Sequence, residues 1–302
     1  MTRLLTLLTA ALPLLAAPGP ASAASSGTPH VPAGVTAGYV VFDRQAGKVT
    51  SQRNAHRRFR SASVVKILIA IDYLESHGSV PRGDLTLLSK MLRVSDDAAA
   101  TSFWTRGGQG KIVERTARRL GLTETAPPPA DRPGFWGYTS LSALDVTRTY
   151  RYLLDEADPR VGGLILGHLR KAGQCGSDGF DQYFGIPRAV PAPWAVKQGW
   201  SGYGSTPPAP CGRAASAGAA PAAGAAATQV TAVRDAGLAV PASAAGPVPD
   251  FGHPVLHTTG LVGRKERWIM VLLTAYPTST TWQRSTGQVT RLAREVYLSG
   301  TS

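Results

Sequence analysis

The sequence predicts an α+β fold in which both chain ends build one antiparallel sheet around an inserted helical lobe. Three observations lead to this prediction: a hairpin pattern opens the chain, a series of helical patterns follows, and three strand patterns with one amphipathic helix close it. The order does not suit repeating βαβ units. With 302 residues, 43% hydrophobic and 17% charged, the chain is not a disordered polyelectrolyte and can bury an ample core.

The first 23 residues are predicted to be a secretory signal that is removed before folding. Arg3 provides a positive start, residues 4–17 are mostly apolar, and Ala21-Ser22-Ala23 is a small-x-small cleavage site. The alternative is an uncleaved anchor, although the apolar run is short for a bilayer span. No cysteine near the cleavage point could accept a lipid. We therefore expect a secreted or cell-wall-associated protein with no stable membrane span after signal removal.

Each later element has its own signal along the chain. Residues 35–51 alternate apolar and polar side chains about a Gly47 turn, which is typical of a hairpin. Helical patterns are predicted at 64–74, 84–104, 111–120, 142–155 and 161–171. Strands are predicted at 194–200, 255–262 and 268–276, before a final amphipathic helix at 280–298. Residues 205–250 are rich in Ala, Gly, Pro and Ser, which predicts a low-complexity insertion in a single domain spanning 35–302.

One set of polar residues indicates nucleophilic chemistry. Ser63 and Lys66 stand three residues apart, so they share one face if a helix starts near Ser63. A serine hydroxyl needs an adjacent base, and a desolvated lysine can be that base. Two further motifs follow in order, Ser95-Asp96-Asp97 before a helical stretch and Lys197-Gln198-Gly199 in a strand. Each motif alone also fits an ordinary helix start, helix cap or strand lysine, but their order argues for a site.

In these three motifs the chain resembles the penicillin-recognising serine hydrolases, and most closely the class A β-lactamases. The segments 38–43, 59–63 and 258–260 also look like parts of that family's hairpin, nucleophile approach and penultimate strand. The resemblance covers roughly residues 37–298 without the insertion. It implies an α/β/α fold of the β-lactamase/transpeptidase type.

The resemblance also implies a role for each motif residue. Ser63 would be the acylated nucleophile, Lys66 its base, and Ser95 the relay that protonates the leaving nitrogen. The backbone N–H groups of Ser63 and Trp200 would form the oxyanion hole. Four residues would contact the substrate: Asp97, Lys197, Gln198 and Gly199.

Four departures from the family pattern bear on activity. Asp97 replaces an asparagine and cannot donate an amide hydrogen bond, and Gln198 replaces a threonine. Only 32 residues separate Ser63 from Ser95, which predicts a more open cleft. The Pro-rich loop at 121–138 offers only two acidic residues as deacylating bases, Glu124 and Asp131, and neither sits in the family's loop context. We therefore expect β-lactams to acylate Ser63 and to turn over slowly.

The sequence thus predicts an exported active-site-serine hydrolase that forms a Ser63 acyl-enzyme on β-lactam or D-Ala-D-Ala-like amides. One alternative is a D,D-carboxypeptidase-like peptidoglycan peptidase, which suits an open cleft. Another is a non-catalytic wall- or ligand-binding module on the same fold, which Asp97 and Gln198 keep open. No cofactor, metal or nucleic-acid partner is expected, and we expect a monomer. The formal charge of +13 is compatible with an anionic cell wall.

The chain has two cysteines, Cys175 and Cys211, on either side of the predicted strand 194–200. In an oxidising compartment they could form a disulfide. Two unpaired thiols are the alternative, because sequence alone does not settle the geometry of a pair.

Overall fold

A computed structural model describes residues 27–212 and 248–302 of the protein. The predicted signal and most of the predicted insertion lie outside these residues. The strands within them are β1 Thr36–Asp43, β2 Lys48–Arg53, β3 Phe59–Arg60, β4 Ser140–Leu141, β5 Trp194–Ser201, β6 Val255–Val262 and β7 Trp268–Ala275. The α-helices are α1 Lys66–Glu75, α2 Arg82–Arg93, α3 Asp97–Arg106, α4 Gly110–Leu120, α5 Ala143–Asp155, α6 Pro159–Leu169, α7 Ile186–Ala189 and α8 Trp282–Thr301.

The main sheet joins the two ends of the chain. Its strand order is β2-β1-β7-β6-β5, and all neighbours are antiparallel. The N-terminal strand β1 pairs along its whole length with β7, from Thr36 opposite Ala275 to Asp43 opposite Trp268. The predicted fold class, an antiparallel sheet from both chain ends with an inserted helical lobe, is therefore confirmed.

Two hydrophobic layers cover the sheet. Strand β6 is buried at every position, and β1 and β7 at all but their first, because helices pack on both faces. The helical lobe covers one face, and α8 with α7 covers the other. Helix α8 buries Val289, Leu292, Ala293 and Val296, as its amphipathic pattern predicts. Within 27–212 and 248–302, no helix is long and apolar enough to cross a bilayer.

Helix α1 is the centre of the helical lobe. Its residues from Lys66 to Leu74 are all buried, so its sequence is apolar on every side apart from Lys66, Asp72 and Tyr73. A 3-10 helix, Ala62–Val65, leads directly into α1 and lies beside the edge strand β5. The fold thus brings the start of α1 against the strand that carries the third motif.

The helical pattern predicted over residues 84–104 divides into α2 and α3. The break falls at Ser95, which adopts a positive φ of 58°, a conformation that few non-glycine residues take. The Asp96 carboxylate then caps α3 by accepting from the Ala99 backbone N–H at 2.7 Å. The break points the side chains of the second motif away from a continuous helix and towards Lys66.

Candidate active site

Ser63 lies in a tight turn that its neighbours fix on both sides. Ala62, the residue before it, has a positive φ of 43°, which is a strained backbone conformation for a residue with a Cβ. The Ser61 backbone N–H donates to Thr139 O at 2.7 Å, and Val64 N–H donates to Ser61 O at 3.1 Å. Ser63 itself is only 6% exposed. The nucleophile predicted from sequence therefore lies at a rigid, nearly buried position before α1.

Lys66 is fully buried and hydrogen-bonded to the second motif. Its Nζ donates to Ser95 O at 2.6 Å, to Ser95 Oγ at 3.3 Å and to Asp97 Oδ1 at 2.5 Å. Nζ also lies 4.7 Å from the ring centroid of Trp136, which comes from the loop before β4. Among the residues that the structure describes, Nζ makes no hydrogen bond to Ser63. The three acceptors match the three protons of an ammonium group.

Lys197 approaches the same hydroxyl from β5. Its buried Nζ donates to Ser95 Oγ at 2.8 Å and to Gln198 O at 3.0 Å. Ser95 Oγ therefore lies within hydrogen-bond distance of two lysines. The structure thus brings together four residues of the three predicted motifs: Lys66, Ser95, Asp97 and Lys197.

Burial lowers the pKa of both lysines. For Lys66 the desolvation is opposed by the charge and hydrogen bond of Asp97, yet its pKa stays below the ordinary value. For Lys197 desolvation and the nearby charge of Lys66 act together, so its pKa falls well below the ordinary value. Two amines with lowered pKa on either side of one hydroxyl can exchange a proton through that hydroxyl.

Gly199 allows β5 to lie against the nucleophile. A Cβ at this position would be 3.1 Å from Ser61 O and 3.2 Å from the Ser63 backbone nitrogen. The missing side chain therefore brings the strand close to one of the two predicted oxyanion-hole amides. Trp200, which supplies the other amide in that prediction, follows directly in β5.

Gln198 is directed to a different partner from the one that its motif position suggests. The side chain is buried, and its Nε2 donates to Gln182 O at 3.2 Å and Phe184 O at 2.6 Å. Its Oε1 has no hydrogen-bond partner among the described residues. The structure ties this amide to the segment before α7 and does not bring it to the serine–lysine group.

The two acidic residues of the 121–138 loop do not reach the serine–lysine group. Burial alone would raise the pKa of Glu124, but hydrogen bonds from Thr123, His56 and Ser142 outweigh it and lower the pKa to about 2. Asp131 is 67% exposed and lies 3.6 Å from Arg132. Within the described part of the chain, neither carboxylate makes a hydrogen bond to Ser63 or Lys66.

Asp178 is a residue of this site that the sequence reasoning missed. Its Oδ2 accepts from the Trp200 indole at 3.0 Å, and its charge acts on both Lys66 and Lys197. Desolvation raises the pKa of its carboxyl group. A Gly-Ser-Asp-Gly sequence indicates only a turn, so nothing local marks the residue. The nearby Cys175 forms a disulfide with Cys211 in the structure, and that constraint is the one signal that could have pointed to this turn.

Comparison with curated proteins finds relatives in mycobacteria. The protein described as "Putative lipoprotein LppW" from Mycobacterium tuberculosis is 41% identical over 179 residues, and the same protein from Mycobacterium bovis matches equally. The match covers 55% of this chain and 54% of those proteins, so the chain spans about half the length of the curated relatives it matches. No protein-family model matches the chain.

Comparison with solved structures finds the same fold in several penicillin-recognising proteins. A class A β-lactamase from Mycobacterium abscessus aligns with a TM-score of 0.57 at 18% identity, covering 87% of this chain and 93% of the other. The protein PBP-A, also solved as an acyl-enzyme complex with penicillin G, aligns at 0.56 and 13%, covering 88% and 90%. The β-lactamase of Streptomyces albus G aligns at 0.54 and 17%, covering 87% and 93%. This chain therefore has the β-lactamase/transpeptidase-like fold of the penicillin-recognising serine hydrolases.

Proposed function

We propose that the protein is an exported active-site-serine hydrolase that forms a Ser63 acyl-enzyme on β-lactam or D-Ala-D-Ala-like amides. The observation that carries the proposal is the placement of Ser95 Oγ within 3.3 Å of Lys66 Nζ and 2.8 Å of Lys197 Nζ, both buried. Burying two ammonium groups is costly, and a binding module has no need of that cost. Proton transfer at a serine gives both lysines a use.

In the proposed acylation step, neutral Lys66 accepts the proton of Ser63 Oγ while that oxygen attacks the substrate carbonyl. The carbonyl oxygen becomes an oxyanion between the backbone N–H groups of Ser63 and Trp200. Ser95 then donates its proton to the leaving nitrogen and regains one from Lys66, so the proton that left Ser63 ends on the product. Lys66 must release its bond to Asp97 as it becomes neutral, and this requirement slows the step.

Deacylation is proposed to be the slow half of the cycle. A water molecule must lose a proton as it attacks the ester, and the hydrogen bonds of Glu124 hold that carboxylate away from this task. A long-lived acyl-enzyme also suits a peptidase of the D,D-carboxypeptidase type, in which β-lactams act as inhibitors. The spacing of 32 residues between Ser63 and Ser95 favours this second substrate class, because it opens the cleft.

We further propose that the protein works in the cell envelope, as a domain over residues 35–302 that follows a signal at 1–23. The mycobacterial relatives are described as a lipoprotein, which supports an envelope location. Acylation of PBP-A by penicillin G supports the choice of a β-lactam as the probe.

The decisive measurement is the intact mass of the mature protein during incubation with a fluorescent penicillin. We expect a persistent adduct on Ser63 that is absent from Ser63→Ala and present in Ser279→Ala, a matched change at an exposed serine. A transient adduct with released product would identify a β-lactamase with efficient turnover. The complete lack of an adduct would contradict the proposal and favour a binding module.

A further inference from the structure

We propose that Asp178 determines the charge selectivity of the Ser63 site and disfavours substrates that carry a carboxylate beside Lys197. The inference rests on the proposed function and narrows its substrate class. Amides in which the group next to the scissile bond is neutral would react faster than those with a free carboxylate there. The argument uses the way in which Asp178 is held, the groups that it bridges, and the charges around it.

A covalently closed turn holds Asp178 in place. The disulfide from Cys175 to Cys211 ties the start of the turn to the chain after β5. Gly176 N–H donates to Phe180 O at 2.8 Å, and Cys211 N–H donates to Gly179 O at 2.9 Å. Asp178 therefore lies at the tip of a turn with bonds across its base and to its crosslinked partner. A carboxylate on such a turn is pre-organised, since few conformations compete with the observed one.

The same turn spans the cleft between the second and third motifs. On one side the Ser177 N–H donates to Val94 O at 2.7 Å, one residue before Ser95. On the other side Asp178 Oδ2 accepts from the Trp200 indole at 3.0 Å, one residue after Gly199. The carboxylate thus lies between the two walls that hold the lysines.

The charges of the site nearly cancel because of Asp178. Two lysines, Lys66 and Lys197, face two carboxylates, Asp97 and Asp178, and Asp178 acts on both lysines and on Asp97. In a site with only the lysines and a neutral second motif, an incoming carboxylate would be strongly attracted. Here it meets a region of nearly zero net charge with a carboxylate held at the cleft, so attraction is lost.

The test compares penicillin G with its methyl ester, two probes that differ by one negative charge. Acylation rates at Ser63 are measured by intact mass for the wild type, Asp178→Asn, Asp178→Glu and Asp155→Asn. Asn retains an acceptor for the Trp200 indole, so the turn should hold. We expect Asp178→Asn to accelerate acylation by the acid about three- to tenfold and by the ester hardly at all, from one charge interaction in a half-buried site.

The other variants check that charge causes the effect. Asp178→Glu keeps the charge, so its acid-to-ester rate ratio should stay near that of the wild type. Asp155→Asn makes the same change in net charge at a surface pair with Arg44, and should leave the ratio unchanged. An unchanged ratio in folded Asp178→Asn would overturn the inference, while acylation itself would still support the proposed function.

A binding measurement separates this inference from the proposed chemistry. Calorimetry on Ser63→Ala and on Ser63→Ala with Asp178→Asn gives the affinities for the acid and the ester without acylation. We expect the second protein to gain affinity for the acid relative to the ester by a similar factor. Such a gain without any adduct in the wild type would sink the proposed function and leave the inference standing. Equal affinity ratios in the two proteins would overturn the inference.

Discussion

Asp97 controls the protonation of Lys66 because its carboxylate lies 2.5 Å from Nζ. An asparagine at this position would offer an acceptor of similar shape without the charge. The negative charge stabilises the ammonium form, whereas burial destabilises it. A base that must be neutral to act is therefore partly restrained by its own neighbour.

We predict that Asp97→Asn accelerates acylation of Ser63 at neutral pH. Removing the carboxylate lowers the pKa of Lys66 further, so more of the lysine is neutral. The limb of the rate profile that rises with pH should therefore move to lower pH. The measurement is the acylation rate with a fluorescent penicillin between pH 5 and pH 10.

Asp96→Asn is the matched control for this variant. Asparagine caps a helix as well as aspartate does, so α3 should be retained. Asp96 has the weakest of the charge effects recorded on Lys66, and its removal should shift the profile less. Equal shifts for the two variants would show that the contact of Asp97 with Nζ does not set the behaviour of Lys66.

At this scale the motif residues could be predicted from the sequence and Asp178 could not. The spacing from Ser63 to Lys66 is local, so helix geometry alone places both side chains on one face. Asp178 reaches the site only through a disulfide and a tertiary contact with Val94. Gln198 shows the same limit, since its amide is claimed by carbonyl groups of a loop that the motif does not mention.

Among the elements, edge strand β5 matters most, because it forms one wall of the site. Its contact with the 3-10 helix Ala62–Val65 depends on the missing side chain of Gly199. Main-chain atoms form the contact, and they cannot move aside as a flexible side chain does. The distance between strand and helix is therefore set at this one residue.

We predict that Gly199→Ala lowers the acylation rate about tenfold, since small displacements of reacting groups are costly. The new Cβ would push against Ser61 O and the Ser63 nitrogen, at 3.1 and 3.2 Å. Gly163→Ala in α6 is the control, because its Cβ would meet no atom within 4 Å. That change should stabilise the helix by about 0.5–1 kcal/mol and leave acylation unchanged. Equal acylation rates for Gly199→Ala and the wild type would contradict the close packing of β5.

Most elements could be predicted because their periodicity is regular over many residues. Strand β6, for example, occupies the predicted residues 255–262. The short pairing of β3 with β4 has only two residues in each strand, too few for a period to be recognised. The break at Ser95 was also hidden within a helical pattern, because tertiary bonds to two lysines favour its unusual backbone conformation.

For the molecule as a whole, the disulfide is the one covalent constraint among the described residues. It closes a loop with a sequence separation of 36 that contains β5 and α7. A crosslink of this kind restricts the unfolded chain and so stabilises the folded state. The same crosslink anchors the turn that carries Asp178.

We predict that the double variant Cys175→Ser/Cys211→Ser loses about 2–4 kcal/mol of unfolding free energy, measured in urea. Its acid-to-ester acylation ratio should move towards that of Asp178→Asn, because the carboxylate is no longer held over the lysines. A stable double variant with the wild-type ratio would show that hydrogen bonds alone position the turn. Adding a reductant to this variant should change nothing, which separates the effect of the disulfide from that of the reductant.

The order of strands in the sheet has a consequence for synthesis of the chain on the ribosome. Strand β1 is made early, but its partner β7 is among the last segments, as the pairing of Thr36 with Ala275 shows. Strands β6 and β5 connect to β1 only through β7, so the wall opposite Ser63 cannot be fixed until nearly the whole chain has been made. Such late, long-range pairing slows folding. A chain that folds late stays threadable during export, and its reactive serine is assembled only after passage through the membrane.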